Sequence, residues 1–218
     1  ERIQSVKNRI AREPEVAECW KQIKETADKK LQNGGLNDVE YLSLTYLMTG
    51  EKKYSDRIKK ILLDVIQAKT WGSAEMLARI PVWTADLGLS HKAHLSAIAY
   101  DAIYNDLSTS ERKEIALGLK RLALDPSLGD WLLEPTRIHA LNSMGHNWWT
   151  SCVCMGGLLA LSLQNEIPEA KEGARFLNEA LPEWFSFAGD VLQQKPKSFD
   201  DAGGMYESLN YANFGIQE

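Results

Sequence analysis

Two stretches of the 218-residue chain hold side chains able to do chemistry on polar substrates: His146-Asn147-Trp148-Trp149, and Gly203-Gly204-Met205-Tyr206-Glu207-Ser208-Leu209-Asn210-Tyr211. An asparagine amide donates two hydrogen bonds without carrying charge of its own. A tyrosine phenol, ordinarily titrating near ~10, can take and return a proton once donors or cations lower that value. Histidine titrates closer to neutrality and serves as a base or a local positive charge. Tryptophan rings suit stacking on pyranose faces, and Trp83, Trp148 and Trp149 are the candidates among the seven present. Each group also has a plain structural role. Asn147 is a good N-cap, a loop histidine is commonly structural, and tyrosine and tryptophan fill amphipathic cores.

Other combinations carry other chemistry. Asp86, Asp101, Asp201 and Glu207 could supply the acid and base pair of a glycoside hydrolase. His91 and His94 stand three apart, with His139 further on, but no nearby carboxylate or cysteine completes a ligand set. No metal and no cofactor is therefore expected. Cys19, Cys152 and Cys154 are odd in number and describe no disulfide framework, so buried free thiols are expected.

Composition narrows the partners. Net charge is −5, and lysine and arginine are spread along the chain, which argues against a nucleic-acid surface. An anionic ligand would need local donors within an acidic whole. The longest apolar stretch, residues 152–163, is too short to cross a bilayer, so no membrane role is expected. No export signal is visible at Glu1, which leaves the compartment open.

The elements that must position these residues are helical. Ile58, Ile61, Leu62 and Val65 fall at i, i+3, i+4, i+7, as do Leu95, Ile98, Ala99 and Ala102. Asn37 with Glu40 and Ser108 with Glu111 have capping-box spacing ahead of such runs. The pattern predicts helices near 14–32, 38–49, 52–69, 90–106, 109–124, 147–164 and 169–191, and another opening after Gly204. Short turns such as Asn33-Gly34-Gly35 and Thr49-Gly50 separate them. Two longer stretches, about 70–88 and 125–146, read as irregular and are expected to line a working face. Helical hairpins repeating without a strand pattern imply a solenoid or an α/α toroid. The run Met155 to Leu161, apolar on all sides with Gly156 and Gly157 permitting close approach, favours the toroid's inner layer.

Three segments read together resemble the heparinase II/III and alginate lyase superfamily. They are Leu95-Ser96-Ala97-Ile98-Ala99-Tyr100-Asp101-Ala102-Ile103-Tyr104, then His146-Asn147-Trp148-Trp149, and the Gly203 to Tyr211 segment. Two positions depart from the pattern: Ala202 stands where the family usually has aspartate, and Ser208 where it often has glycine. The resemblance implies an all-α, incomplete α/α toroid forming a single helical domain over 1–218. The family's C-terminal β-sandwich is absent from this chain. The lack of a stop signal over residues 210–218 fits a chain that continues.

The resemblance also implies a polysaccharide lyase cleaving uronic-acid-containing polysaccharide by β-elimination. Asn147 would neutralise the uronate carboxylate. Tyr211, with Tyr206 as second candidate, would remove the C5 proton and protonate the leaving oxygen. His146 would act as base on one epimer, or add positive charge. Glu207 would orient substrate, and Trp83, Trp148 and Trp149 would bind it. The expected partner is an acidic polysaccharide or oligosaccharide, and the implied location is periplasmic or secreted. Two rival readings stay open: a glycoside hydrolase on the same toroid, and a non-catalytic helical carbohydrate-binding module.

Overall fold

A computed structural model describes residues 2–131, 147–187 and 197–205. These are almost entirely helical, and the protein is all-α; the one strand-like feature among the described residues is an isolated bridge between Phe199 and Met205. The helices are α1 (Arg2–Ile10), α2 (Pro14–Asn33), α3 (Val39–Thr49), α4 (Lys52–Val65), α5 (Ala74–Leu77), α6 (Leu87–Ile103), α7 (Thr109–Leu119), α8 (Asp125–Trp131), α9 (Asn147–Leu163) and α10 (Pro168–Ser186). The chain divides into two compact units, Glu1–Gln67 with Leu95–Ile115, and Ala68–His94 with Ala116–Glu218.

The first unit is built from regular helices. Proline at the first position of α2 costs no hydrogen bond there, because that N–H has no intrahelical partner in any case. Gly50 closes α3 in the left-handed region at φ 71° and returns its N–H to the Tyr46 carbonyl at 2.7 Å. The predicted stripe on α4 is real: Ile58, Ile61 and Leu62 are buried, with Val65 half-buried at its end. Val39, Leu42 and Tyr54 join them in the core. Each fully buried aliphatic side chain contributes about 1.5–3 kcal/mol.

Charges in this unit stay near the surface. The Tyr54 hydroxyl donates to Asp28 Oδ1 at 2.7 Å, and Lys24 and Lys53 lie at 3.0 and 3.1 Å from that carboxylate. The Tyr54 hydrogen bond, aided by the two lysines and opposed by partial burial, holds the Asp28 carboxyl down at about 2. At the start of α7 the Ser108–Glu111 box forms in both directions, at 2.8 and 3.3 Å. The Asn37–Glu40 box does not open α3. A short 3-10 turn, Leu36–Asp38, precedes that helix, and Asp38 accepts the Gly35 N–H at 2.9 Å.

The second unit centres on α9, which packs against α10 and α8. Trp149, Cys152, Leu159, Ala160 and Leu163 are fully buried along it. Its paired glycines are required by close approach. A β-carbon on Gly156 would lie 2.8 Å from Ser127 Cβ of α8, and one on Gly157 would lie 2.2 Å from Leu177 Cδ2 of α10. The stretch expected to be irregular from 125 is helical to 131: α7 continues through a π-helical segment, Lys120–Leu124, into α8. Residues 132–146 lie outside the described ones, as does the helix expected after Gly204.

Of the thiols, Cys152 is buried and Cys154 half-buried, as an apolar run dictates, but Cys19 is exposed on α2, contrary to expectation. No helix among the described residues is long and apolar enough to cross a membrane.

Candidate functional site

The segment from 68 to 86 is irregular apart from the single turn of α5, so its backbone groups need partners that no helix supplies. Side chains supply them. Thr70 Oγ1 accepts the Gly72 N–H at 3.1 Å, and Ser73 Oγ caps α5 through the Met76 N–H at 3.3 Å. Arg121 donates to the carbonyls of Ala68 and Lys69, both at 3.0 Å. Asp86 caps α6, its Oδ1 accepting from the Leu89 N–H at 2.8 Å and its Oδ2 from the Ser73 N–H at 3.3 Å.

The firmest tie comes from Asp130 on α8, only 4% exposed. Its Oδ2 accepts the N–H groups of Thr84 and Ala85 at 2.5 and 2.8 Å, and its Oδ1 accepts the Thr84 hydroxyl at 2.7 Å. A carboxylate buried this deeply persists only where such donors replace its water.

Trp83 immediately precedes that anchor, and its own N–H reaches the Met76 carbonyl at 3.2 Å. The Arg79 guanidinium lies over the Trp83 ring at 4.3 Å, and Trp148 meets Trp83 edge to face, with centroids 6.1 Å apart and planes at 75°. Both tryptophans are half-buried, while Ile80 and Val82 between Arg79 and Trp83 are exposed. The result is an aromatic pair capped by a cation beside an exposed loop.

Asn147 opens α9 next to Trp148 and is buried, with its carbonyl accepting the Thr150 hydroxyl at 2.7 Å. The structure thus brings together Trp83, Trp148 and, adjacent in the chain, Asn147. Trp149 points elsewhere and corrects the expectation of a sugar platform. It is fully buried, stacked on Trp184 with planes 3° apart, because successive residues of a helix turn to different faces. His146, Tyr206, Glu207 and Tyr211 lie outside the described residues.

The residues leading into the last motif form a turn around Asp200, whose Oδ1 accepts the N–H groups of Ala202 and Gly204, both at 2.8 Å. Gly203 sits at φ 84°, and a β-carbon on Gly204 would press on the Asp200 carboxylate at 2.8 Å.

The carboxylates considered for hydrolysis are differently employed. Asp86 holds backbone amides, Asp101 is exposed on α6, and Asp201 is fully exposed beside Lys197, which lowers its carboxyl below the usual range. His91 is exposed and His94 half-buried, and His139 lies outside the described residues. Among those residues no cluster of three or more histidine, cysteine, aspartate or glutamate side chains could hold a metal ion.

Sequence reasoning missed Arg79 and Asp130. Asp86 ahead of an apolar run was readable as an N-cap, whereas the Asp130 contacts span 45 and 46 residues and leave no local trace. Compared with protein-family models and with curated proteins, the sequence matches none.

Proposed function

We propose that this chain is the helical, sugar-binding part of a polysaccharide lyase that cleaves uronate polymers by β-elimination, its hairpins forming an incomplete α/α toroid. The observation that carries the reading is Asn147, a buried amide at the start of α9 beside an aromatic pair capped by arginine.

Elimination removes the C5 proton, moves its electron pair into a C4–C5 double bond and expels the O4 oxygen, which takes up a proton. The C5 proton is acidic enough only when the neighbouring carboxylate is neutralised, so that charge can spread onto it. Preorganised donors in water-poor surroundings do this at low reorganisation cost. An amide fits, since it donates without carrying charge into a buried place. The half-buried Trp83 and Trp148 suit contact with sugar rings. In this reading Tyr211 or Tyr206 moves the proton, His146 assists, and Glu207 orients the ligand. Uronate polymers as substrate fit a periplasmic or secreted protein.

The test is a panel of acidic polysaccharides followed by ultraviolet absorbance and by new reducing ends. A lyase raises both, a hydrolase raises reducing ends alone, and a binding module raises neither.

A further inference from the structure

We propose that Arg79 is the charge-selecting residue of an acidic-sugar subsite formed with Trp83 and Trp148. The proposal rests on the preceding reading for its ligand class.

A guanidinium over an indole is attracted to the ring through its charge, an interaction that consumes none of its N–H donors. The Arg79 Cζ lies over the Trp83 ring, 4.3 Å from its centroid. The guanidinium's one polar contact among the described residues is Glu75 Oε1 at 3.4 Å, well beyond the about 2.7–2.9 Å of a strong charge-assisted bond. The Arg79 side chain is 40% exposed and Glu75 77% exposed, so water screens their pairing heavily. A cation whose one side-chain pairing is long and screened is thus held at the surface, and its planar fork can match a carboxylate two-on-two.

The setting is fixed rather than accidental. Asp130 pins the backbone at Thr84 and Ala85, directly after Trp83, and the Trp83 N–H is tied back to Met76. Trp148 then supports the Trp83 ring from the side. A binding group prepared in this way loses little conformational entropy when a ligand arrives. The chemistry that fits is a pyranose bearing a carboxylate: the ring meets indole edges and faces, and the carboxylate meets the guanidinium. A neutral sugar would use only the first contact.

The experiment measures binding of galacturonate and alginate oligosaccharides, each as the free acid and as its methyl ester, to the whole chain by calorimetry. The wild-type protein should bind at least one acid more tightly than its ester. R79A should weaken that acid by roughly fivefold, the range of an exposed charge-assisted pair, and leave the ester unchanged. R79Q, which keeps a planar group over Trp83 without the charge, should lose the same preference and guards against a folding effect in R79A. Equal affinity for acid and ester in the wild type, or preference retained in both variants, overturns the proposal. Double-bond absorbance recorded on the same samples separates the two readings. Acid preference that vanishes in both variants, without any unsaturated product, removes the lyase reading and keeps the subsite. Unsaturated product with preference unchanged in both variants does the reverse.

Discussion

Among the described residues, the first unit buries hydroxyls as its polar side chains, Ser43, Thr45, Ser55 and Ser96, whereas the second also buries the carboxylates of Asp86 and Asp130 and the amide of Asn147. Ser55 returns its hydroxyl to the Lys52 carbonyl of its own turn at 3.1 Å, while the enclosed hydroxyls of Ser43, Thr45 and Ser96 have no hydrogen-bond partner among the described residues, a cost that stays small beside that of an unpaired charge. A buried carboxylate has no such local remedy and is tolerated only where several donors converge on it. In the second unit those donors are the N–H groups of Ser73, Thr84 and Ala85 in the irregular segment, joined by the Thr84 hydroxyl and by the Leu89 N–H at the start of α6. The first unit therefore reads as framework, its stability carried by apolar stripes and surface ion pairs. The second spends buried charge on holding one irregular loop in one shape, and that loop carries Arg79 and Trp83. Rigid support under an exposed loop is what a binding site needs.

The contrast breaks most readily at Asp130. D130A strands the N–H groups of Thr84 and Ala85, which should cost about 3 kcal/mol in urea unfolding and speed tryptic cutting at Arg79. D130N should recover most of the loss, since its amide oxygen can accept both N–H groups while its NH2 faces the Thr84 hydroxyl. If D130A is as stable as the wild type, the loop is not held as described.

A smaller effect is expected in the first unit at low pH. Asp28 titrates at about 2 in the folded protein, below the ~3.9 of an unfolded chain, so the unfolded state binds the proton first as pH falls. Its contribution is present above about pH 4 and is lost as pH drops through about 2. The thermal midpoint of D28N should accordingly vary less than that of the wild type across this interval, by a modest amount that added salt reduces further. An identical pH dependence in the two proteins would remove the Tyr54–Asp28 bond from the account.

The smallest effect belongs to Thr45, whose enclosed hydroxyl has no hydrogen-bond partner among the described residues. T45V should leave the unfolding free energy within about 1 kcal/mol of the wild type or raise it. A large loss there would show that the first unit, too, depends on buried polar contacts.

Helices were legible because burial and periodicity coincide in them. The expected 38–49 and 147–164 correspond to α3 and α9, and the paired glycines foretold the close contacts with Ser127 and Leu177. Helix α1 was not foreseen, although Ile3, Val6 and Ile10 stand at i, i+3 and i+7 along it; none of its residues is buried. Helix α8 was hidden by Pro126, Gly129 and the glycine- and proline-rich text around it, because proline and glycine disfavour a helix interior, whereas here the helix runs on directly from the π-helical segment. At the candidate site, Trp83, Trp148 and Asn147 were recognisable by type. The misreading of Trp149 arose because adjacent tryptophans in a helix must face different ways, and the sequence does not say which one faces the core. Arg79 could be found only once the loop's path laid it over Trp83.

The central claim is that the Asn147 amide neutralises a uronate carboxylate during elimination. Its most direct test is the rate of double-bond formation by the wild-type protein and by N147A on whichever acidic polysaccharide the wild type consumes. Loss of an essential donor predicts a fall on the order of a hundredfold to a thousandfold, with the helical circular dichroism retained. Elimination at an unchanged rate in N147A, or no unsaturated product from any uronate polymer with the wild type, contradicts it.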